Sequence, residues 1–547
     1  MKKLFPIVLF ILTFFIGCKT PNIQIEDSSS LGPLFLFEDE INPKYDNRTE
    51  ALNAIFNPDE LGNLVLVFDR SQWNKHLEYC DINMDHEQSV VAKGFYFQKD
   101  NKEWFFKNIG FRIRGNTSRV RPQELIQKGP ISINGDYVQS HFALDFEEWI
   151  TEEEDANGVE KKLANSMKGL ILKRFKDDPT YCREVYGYNL FRENGIWIAP
   201  RAAYTRLTIQ IIDDIDLDKD GNTSEYETVD YGVYAMIEEI KKQFLKERSE
   251  ELTEFGGGEF SNNKGNLWKC TWKRKGVDFV FSNAKSIGEE KNEPIYSSEN
   301  QVIDFDIKNF DYDYKGDNEF LDGKKQLQAF MIELNLLPDC TDGQNDEADI
   351  QTVKRFYTEK MDGDLFLKTV ATNVILGMWD DYWGNKNNFY FYFDAKTDKA
   401  YFIPYDYDNI LGIGHTLNGF FVDSATQNPL EWNQNPKEKR PLIEKILQVP
   451  EFMEKYQNYL LEFTSEESAF YVTNSQERIK KWQTMIAPYI NSPQINYELS
   501  YTYNKLDDFP AYWGETPFYR LLSGDETTNF FMAKTASIKK AIKEYNQ

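Results

Sequence analysis

Residues 379–412 read WDDYWGNKNNFYFYFDAKTDKAYFIPYDYDNILG, and this stretch predicts the part of the fold around which the rest of the chain is arranged. An aromatic run fills residues 388–393 and an apolar run fills residues 400–405, with turn-forming residues between them, which is the pattern of a β-hairpin. Four aspartates flank the two strands, two before the first and two after the second: Asp380, Asp381, Asp406 and Asp408. Because the open ends of a hairpin lie side by side, we expect these carboxylates to cluster at one end.

Clustered oxygen ligands of this kind are typical of a site for Mg²⁺ or another hard cation, usually shared with a phosphate group. Asn388 adds an amide oxygen at the start of the first strand, and Asn385 and Asn387 lie close enough in the sequence to take its place. The alternative interpretation is a structural turn that is merely rich in Asp and Asn.

The composition limits the range of partners. The chain has 547 residues, of which 15% are aromatic, so it can bury a large core. Its 63 basic and 89 acidic residues give a net charge of −26. This balance argues against a nucleic-acid partner, because such proteins need surplus positive charge to meet phosphates. Attachment to an anionic membrane would therefore depend on a covalent anchor.

The N-terminus predicts such an anchor. Lys2 and Lys3 precede an apolar run over residues 4–16, which is too short for a membrane span and fits a secretory signal. A small residue followed by Cys18 resembles a bacterial lipoprotein signal, so we expect a signal peptide over residues 1–18 and lipidation of Cys18. The predicted location is the cell envelope, periplasmic or cell-surface, with the protein anchored in the membrane. The alternative is an ordinary signal peptide with an incidental cysteine.

Hydrophobic periodicity predicts an α+β, two-lobed fold. After a tether over residues 19–55, we expect a strand-rich N-lobe over residues 56–250 and a helix-rich C-lobe over residues 251–547, which includes the C-terminal helices. The predicted strands cover residues 64–68, 90–97, 104–114, 141–146, 170–175, 204–212 and 231–237. The predicted helices cover residues 320–336, 350–378, 441–463, 475–486 and 535–545, and an Asp178-capped helix follows the strand that carries Lys173.

Five stretches, taken in order, resemble the CotH family of kinase-like proteins, which is named after a spore coat protein. They are residues 111–118 (FRIRGNTS), Leu172-Lys173 with the helix that follows, residues 231–234 (YGVY) with Glu238, residues 381–388, and residues 406–408. The resemblance runs from about residue 64 to about residue 463. It implies an atypical protein kinase fold that uses ATP and a divalent metal, Mg²⁺ or Mn²⁺, and acts on a protein in a secretory or extracellular setting.

The resemblance also implies roles for the nucleotide-binding residues. Lys173 would contact the phosphates and pair with Glu238, for which Glu239 is an equal alternative. Three residues of the first motif would approach phosphate from a glycine turn: Arg112, Arg114 and Asn116. The chain has no glycine-rich GxGxxG loop, so the match to ordinary kinases is one of role and order.

The acidic residues receive the remaining roles. Asp381 would orient the acceptor hydroxyl, with Asp380 as the alternative. Asn388 would be the metal-binding amide. Asp408 is the preferred metal aspartate and Asp406 the second choice, because one of the two could instead cap the turn that follows.

A second constellation lies in residues 216–227, DLDKDGNTSEYE, which match the EF-hand pattern D-x-D-x-D-G-x₅-E. The predicted calcium ligands are Asp216, Asp218, Asp220, Asn222 and Glu227. The flanking sequence predicts strands, so this would be a calcium loop within a hairpin. The alternative is a solvated acidic turn.

The leading functional prediction is a lipid-anchored extracytoplasmic kinase that transfers the γ-phosphate of ATP to a protein substrate. The alternative is a non-catalytic pseudokinase or surface-assembly module with the same fold. A carbohydrate-associated protein is a third interpretation, supported only by surface location and aromatic content.

Overall fold

A computed structural model describes residues 37, 39–45, 47–116, 118–156, 161–164, 166–214, 225–254, 264–290, 292–296, 302–307, 309–340, 347–417, 420–433, 435–510 and 519–547. Helices and strands are mixed throughout, as in an α+β protein, and this part of the prediction is confirmed. The predicted lobe boundaries, the signal peptide, Cys18 and most of the tether stay predictions; residues 1–36 lie outside the described residues.

The first part of the chain is built from strands. They are β1 (Gly62–Asp69), β2 (Val90–Lys99), β3 (Lys102–Arg114), β4 (Gln123–Lys128), β5 (Ile131–Tyr137), β6 (His141–Asp145), β7 (Gly169–Lys173), β8 (Ala202–Ile212) and β9 (Tyr226–Glu238). The helices among them are α1 (Arg48–Ile55), α2 (Arg70–Ile82), α3 (Glu152–Ala156), α4 (Arg183–Glu193) and α5 (Lys242–Glu254).

Seven of these strands close into a barrel in the order β1-β2-β3-β6-β7-β9-β8. The neighbours are antiparallel except where β1 meets β8 in parallel, with Leu64 opposite Leu207. Alternate side chains, such as Phe111 and Leu172, point into an aromatic-rich interior, while the intervening ones point outward. Closure removes the exposed sheet edges. It depends on pairing between strands distant in sequence, which periodicity does not predict.

The second part of the chain carries a five-stranded sheet covered by helices. The strands of this part are β10 (Asn266–Cys270), β11 (Ile287–Gly288), β12 (Asn292–Tyr296), β13 (Val302–Ile307), β14 (Tyr312–Tyr314), β15 (Phe389–Phe393), β16 (Ala400–Pro404), β17 (His415–Leu417) and β18 (Phe420–Val422), of which β12 pairs with β13 and β17 with β18 in separate two-stranded sheets. Its helices are α6 (Phe320–Leu336), α7 (Glu347–Glu359), α8 (Gly363–Leu376), α9 (Tyr382–Asn385), α10 (Pro441–Leu447), α11 (Pro450–Glu462), α12 (Val472–Ile486) and α13 (Phe530–Tyr545). The order of strands in the sheet is β11-β14-β10-β15-β16.

The predicted hairpin is confirmed as β15 and β16. Phe389 lies opposite Pro404, so the aspartates that precede β15 and those that follow β16 share one end of the hairpin. Both strands are buried along their whole length, which is why their sequence is continuously apolar rather than alternating.

Two predicted helices are each divided in the structure. The helix expected over residues 350–378 breaks at Asp362, whose carboxylate accepts a hydrogen bond from Leu365 N at 3.0 Å and starts α8. The helix expected over residues 441–463 breaks where Pro450 begins α11, because proline has no N–H for the preceding helix. Among the residues that the structure describes, no helix combines the length and the apolar character needed to cross a membrane.

Candidate active site

Lys173 stands at the end of β7, on the outer face of the barrel. Alternation along the strand sends Leu170 and Leu172 into the barrel interior and Ile171 into the core of the helical part. Lys173 follows Ile171 on that outer side and is only 8% exposed. A charged group buried this far needs partners, because desolvation of an ammonium is costly.

The first partner is Glu184, in the first turn of α4. Its Oε2 lies 2.7 Å from Lys173 Nζ, and its side chain is buried. The predicted start of this helix at Asp178 is wrong, since α4 begins at Arg183. The Asp178 carboxylate instead accepts hydrogen bonds from the N–H groups of Thr180 at 3.0 Å and Arg183 at 3.2 Å, and so organises the turn that leads into the helix.

The other partners come from the hairpin. Asp406 forms an ion pair with Lys173, and Asp408 Oδ2 lies 3.6 Å from the same ammonium. Tyr407 between them points the other way and is buried, with its hydroxyl donating to Asn373. The backbone N–H of Asp406 donates to the Tyr188 hydroxyl at 2.9 Å, which ties the segment to α4.

Gly187 permits this close approach of α4 to the hairpin. A Cβ atom at position 187 would lie 3.1 Å from Ile410 Cδ1 and 3.2 Å from Tyr407 Cβ. A larger residue would therefore push the helix that carries Glu184 away from the segment that carries Asp406.

The charges in this cluster depend on one another. Burial lowers the pKa of Lys173, but Asp406, Asp408 and Glu184 outweigh it and raise that pKa well above the ordinary value. Burial and the adjacent carboxylates raise the pKa of Glu184, although Lys173 opposes them. Burial and Asp406 likewise raise the pKa of Asp408. The single positive charge of Lys173 does not balance the negative charges of the three carboxylates. The cluster would therefore be stabilised by a further cation.

The donor set fits a divalent metal ion. One oxygen each of Glu184, Asp406 and Asp408 can be chosen so that all three lie within 4.8 Å of one another. Carboxylate oxygens are the ligands that Mg²⁺ and Mn²⁺ prefer.

Asp380 lies beside this cluster and is held by three amides. Its carboxylate accepts hydrogen bonds from the side chains of Asn385 at 2.6 Å, Asn387 at 3.1 Å and Asn388 at 2.9 Å. Burial raises the pKa of Asp380 to about 7, with a further contribution from Asp406 and Asp408, while the amides of Asn385 and Asn387 oppose the rise. A half-buried carboxylate of this pKa is suited to accept a proton near neutral pH.

Asp381, the first choice for the acceptor role, has a different task. Its carboxylate accepts a hydrogen bond from Gly384 N at 2.6 Å and caps α9. It is 2% exposed, and burial raises its pKa to about 7 as well. The geometry therefore favours the alternative, Asp380, because its carboxylate is the one near Asp406 and Asp408.

The predicted pair of Lys173 with Glu238 is wrong. The register of β7 with β9 places Leu170 opposite Glu238 and Lys173 opposite Ala235. Lys173 is three residues from Leu170, the partner of Glu238, and side chains an odd number of residues apart on a strand point to opposite faces of the sheet. The side chains of Lys173 and Glu238 therefore lie on opposite faces. Glu238 is instead bound by Arg201 and Arg248, which outweigh burial and lower its pKa to about 2.

The alternative, Glu239, pairs with Lys241 at 2.9 Å and not with Lys173. Sequence reasoning therefore missed Glu184. The available signal was its position as the first acidic residue on the helix that follows the Lys173 strand.

The first motif divides between the site and its surroundings. Arg114 donates to the Tyr405 hydroxyl at 2.6 Å, and its charge helps to lower the pKa of Asp406. Arg112 points along the same face of β3, where its charge and those of Lys315, Lys269 and Arg119 together outweigh burial at Glu87 and lower the pKa of that carboxyl to about 2. Asn116 is exposed and accepts a hydrogen bond from Lys273 at 3.1 Å.

Lys269 is a second residue that sequence reasoning missed. It lies opposite Tyr390 in the sheet, with its ammonium 5.7 Å from the centroid of the Tyr405 ring. Burial and the charge of Arg114 lower its pKa, and its own charge helps to lower the pKa of Asp406. The signal was a lysine inside the otherwise apolar strand NLWKC.

The calcium prediction falls mostly outside the described residues, because Asp216, Asp218, Asp220 and Asn222 are not among them. Glu227 is described, and its Oε2 accepts hydrogen bonds from Arg70 at 3.2 Å and the Tyr137 hydroxyl at 2.7 Å. The calcium site stays a prediction.

Together these groups resemble the centre of a protein kinase in their residue types. A buried lysine paired with a helix glutamate, aspartates after a hairpin, and an aspartate–asparagine loop before it are the groups that protein kinases use for phosphates, metal and acceptor. The chain belongs to the CotH kinase protein family, whose model matches residues 111–511. A comparison with curated proteins found no match.

Proposed function

We propose that this protein transfers the γ-phosphoryl group of ATP to a hydroxyl group of a protein substrate, with Mg²⁺ or Mn²⁺ as cofactor. The observation that carries the proposal is the position of Lys173, held by Glu184 among carboxylates that lie beside Asp380. Membership of the CotH kinase protein family supports it. In this proposal the barrel belongs to an N-terminal lobe and the helical part to a C-terminal lobe.

The cationic groups would bind the nucleotide phosphates. Lys173 is oriented by Glu184, so its ammonium is positioned before the nucleotide arrives. Arg114 and Lys269 add positive charge on the Asp406 side of the cluster. A compact set of fixed charges stabilises the charge that develops on transferring phosphoryl oxygens, because it needs no reorganisation during the reaction.

Asp406 and Asp408 would hold the divalent cation, and Asn388, whose amide nitrogen donates to Asp380, would offer its amide oxygen to the same ion. When bound, the cation neutralises phosphate charge and orients the nucleotide. Glu184 would hold Lys173 rather than the metal, because its 2.7 Å ion pair already uses one of its oxygens.

Asp380 would orient and deprotonate the acceptor. The acceptor oxygen forms a bond to the γ-phosphorus as the bond from phosphorus to the β–γ bridging oxygen breaks. ADP leaves with that electron pair, and the hydroxyl proton passes to the Asp380 carboxylate. The amides of Asn385, Asn387 and Asn388 hold that carboxylate in one orientation.

A direct test is incubation of the full chain with γ-labelled ATP and Mg²⁺ or Mn²⁺, followed by detection of label on protein. We expect label with the wild type and none with Lys173→Met or Asp406→Asn. Asp322→Asn, at an exposed position on α6, serves as the matched control. Equal labelling by the wild type and both site variants would contradict the proposal.

A non-catalytic pseudokinase or assembly module is the second candidate. The observation in its favour is the ion pair of Lys173 with Asp406. In this pair the ammonium, and not a metal ion, neutralises the Asp406 carboxylate. A wild-type protein that binds neither nucleotide nor Mn²⁺ in calorimetric titration would support this candidate.

We also propose that the protein is anchored in the cell envelope through lipidated Cys18, as the N-terminal sequence predicts. Incorporation of labelled fatty acid by the wild type, and its loss in Cys18→Ser, would support the anchor. A freely soluble, unlabelled wild-type protein would contradict it.

A further inference from the structure

Residues 272–276, Trp-Lys-Arg-Lys-Gly, place three consecutive cations in a chain whose net charge is −26. We call this segment, which follows β10, the basic loop. Trp272, Arg274 and Lys275 are exposed. The proposed phosphoryl transfer gives none of these three residues a role.

A buried carboxylate fixes the shape of the basic loop. Asp311 is fully buried and accepts hydrogen bonds from the backbone N–H groups of Lys273 at 2.7 Å, Arg274 at 2.8 Å and Gly276 at 3.2 Å. Gly276 has a φ of +76°, a conformation that glycine adopts without strain. Because the backbone donors all converge on Asp311, the side chains of Arg274 and Lys275 are left at the surface.

The basic loop is bonded to the segment that orients Asp380. Trp272 N donates to Asn387 Oδ1 at 2.7 Å, and the amide nitrogen of Asn387 donates to Asp380 Oδ1 at 3.1 Å. On the other side of the loop, Val277 N donates to Lys386 O at 2.8 Å. An acceptor whose hydroxyl reaches Asp380 would therefore carry its flanking residues past the basic loop.

The cations of the basic loop differ in the partners that their side chains have within the protein. Lys273 donates to Asn116 at 3.1 Å and is only partly exposed, with the carboxylates of Glu290 and Asp85 and the cations of Lys269 and Arg119 around it. Arg274 Nε donates to Asn309 O at 2.9 Å, a neutral partner. Among the described residues, Lys275 has no ion-pair partner. Arg274 and Lys275 are thus the cations available to an incoming anion.

We propose that the basic loop binds acidic side chains that flank the acceptor hydroxyl, so that the protein substrate is an acidic segment. This inference rests on the proposed phosphoryl transfer and adds the substrate class to it. The attraction is set by the charges of the basic loop and not by the net charge of the chain, because exposed charges act over about one Debye length, ~8 Å at physiological salt. A substrate with basic flanks would meet Arg274 and Lys275 as like charges.

The experiment compares three serine peptides that differ only in their flanks, which are Glu, Gln or Lys. With the full chain, ATP and Mn²⁺, we expect kcat/KM to be about tenfold higher for the Glu peptide than for the Gln peptide, from two exposed ion pairs. The double variant Arg274→Gln/Lys275→Gln should lose this preference. The matched control Lys539→Gln/Lys540→Gln, at exposed positions on α13, should retain it.

Equal kcat/KM for all three peptides, or a preference that survives in the double variant, would overturn the inference. A raised KM for ATP with an unchanged KM for the peptide would also overturn it, since the loop would then serve the nucleotide. Binding of a fluorescent Glu peptide, measured at low and high salt, needs no turnover. Binding that depends on Arg274 and Lys275 would support the site for an acidic segment. If no peptide is phosphorylated in the same experiments, the proposed phosphoryl transfer is contradicted while this binding site still stands.

Discussion

The ammonium of Lys173 lies 2.7 Å from the carboxylate of Glu184, and this pair joins the barrel to the helical part of the chain. Lys173 belongs to the last residue pair of β7 and β9, whereas Glu184 belongs to a helix that packs against β8 and α8. Whatever moves α4 relative to the barrel therefore changes the position of the ammonium.

Replacing either member of the pair should weaken nucleotide binding. We expect Lys173→Met and Glu184→Gln to lower the affinity for a non-hydrolysable ATP analogue at least about tenfold, because the ammonium is lost or no longer held. Glu238→Gln is the informative comparison, since it breaks a buried pair with Arg201 and Arg248. It should cost about 3–5 kcal/mol of unfolding free energy and leave the affinity unchanged. Calorimetric titration measures the affinity, and thermal melts measure the stability. Reduced affinity in the Glu238 variant would instead support the pairing of Lys173 with Glu238 that the sequence predicts.

The two adjacent aspartates should separate into a chemical and a structural role. Asp380→Asn should reduce phosphoryl transfer by about 10²–10⁴-fold with little change in melting temperature, because it removes the proton acceptor. Asp381→Ala should instead lower the unfolding free energy by about 0.5–2 kcal/mol, because it removes the cap of α9. Turnover and melting curves of both variants distinguish the two roles. The reverse pattern would identify Asp381 as the residue that accepts the hydroxyl proton.

Gly187→Ala should disturb the acidic cluster without removing any of its charges. The added methyl would meet Tyr407 and Ile410, and relieving that contact costs about 1–3 kcal/mol. We expect a lower melting temperature and severalfold weaker Mn²⁺ binding, because Glu184 and the ammonium of Lys173 that it holds would shift relative to Asp406 and Asp408. Gly524→Ala is the matched control, since a Cβ there meets nothing within 4 Å. Unchanged Mn²⁺ affinity in Gly187→Ala would show that the helix position does not govern the metal site.

Lys534 should make stability depend on pH. It is fully buried on α13, 4.3 Å from the Trp432 ring centroid, and burial lowers its pKa to about 7. Between this pKa and the ordinary value of 10.5, the unfolded chain binds the proton that the folded chain has lost, so stability rises with pH. Lys534→Met should therefore stabilise the protein, and its advantage should fall by on the order of 2 kcal/mol between pH 7 and pH 9.

Denaturant unfolding at the two pH values measures this difference. Lys540→Met, at an exposed position of the same helix, is the control and should show no such trend. An advantage of Lys534→Met that is equal at both pH values would indicate that the lysine stays charged in the folded protein.

If the acidic loop binds Ca²⁺, the ion should raise the free energy of unfolding by about 2.7 kcal/mol at a hundredfold excess over Kd, and the melting temperature should rise with it. Asp218→Ala is the variant to compare. Glu227→Ala would also break the contacts of Glu227 with Arg70 and Tyr137, and so would change stability without calcium. An equal response of wild type and Asp218→Ala would identify the loop as a solvated turn.

Local pattern was sufficient for the hairpin and for much of the secondary structure. The strands at 90–97 and 104–114 lie inside β2 and β3, and the helix at 320–336 coincides with α6. Breaks inside long apolar patterns were missed, because Asp362 and Pro450 stop helices that periodicity alone would continue.

The sequence by itself determined that Asp380, Asp406 and Asp408 share one end of a hairpin, because strand direction and a short turn fix that within about thirty residues. Only the tertiary structure decided which carboxylate holds Lys173. That choice depends on the register of β7 against β9, which turns Glu238 to the opposite face, and on Gly187, which lets α4 bring Glu184 close. The strand register and the approach of the helix are set by packing between segments far apart in the chain, so neither can be predicted from short stretches of sequence.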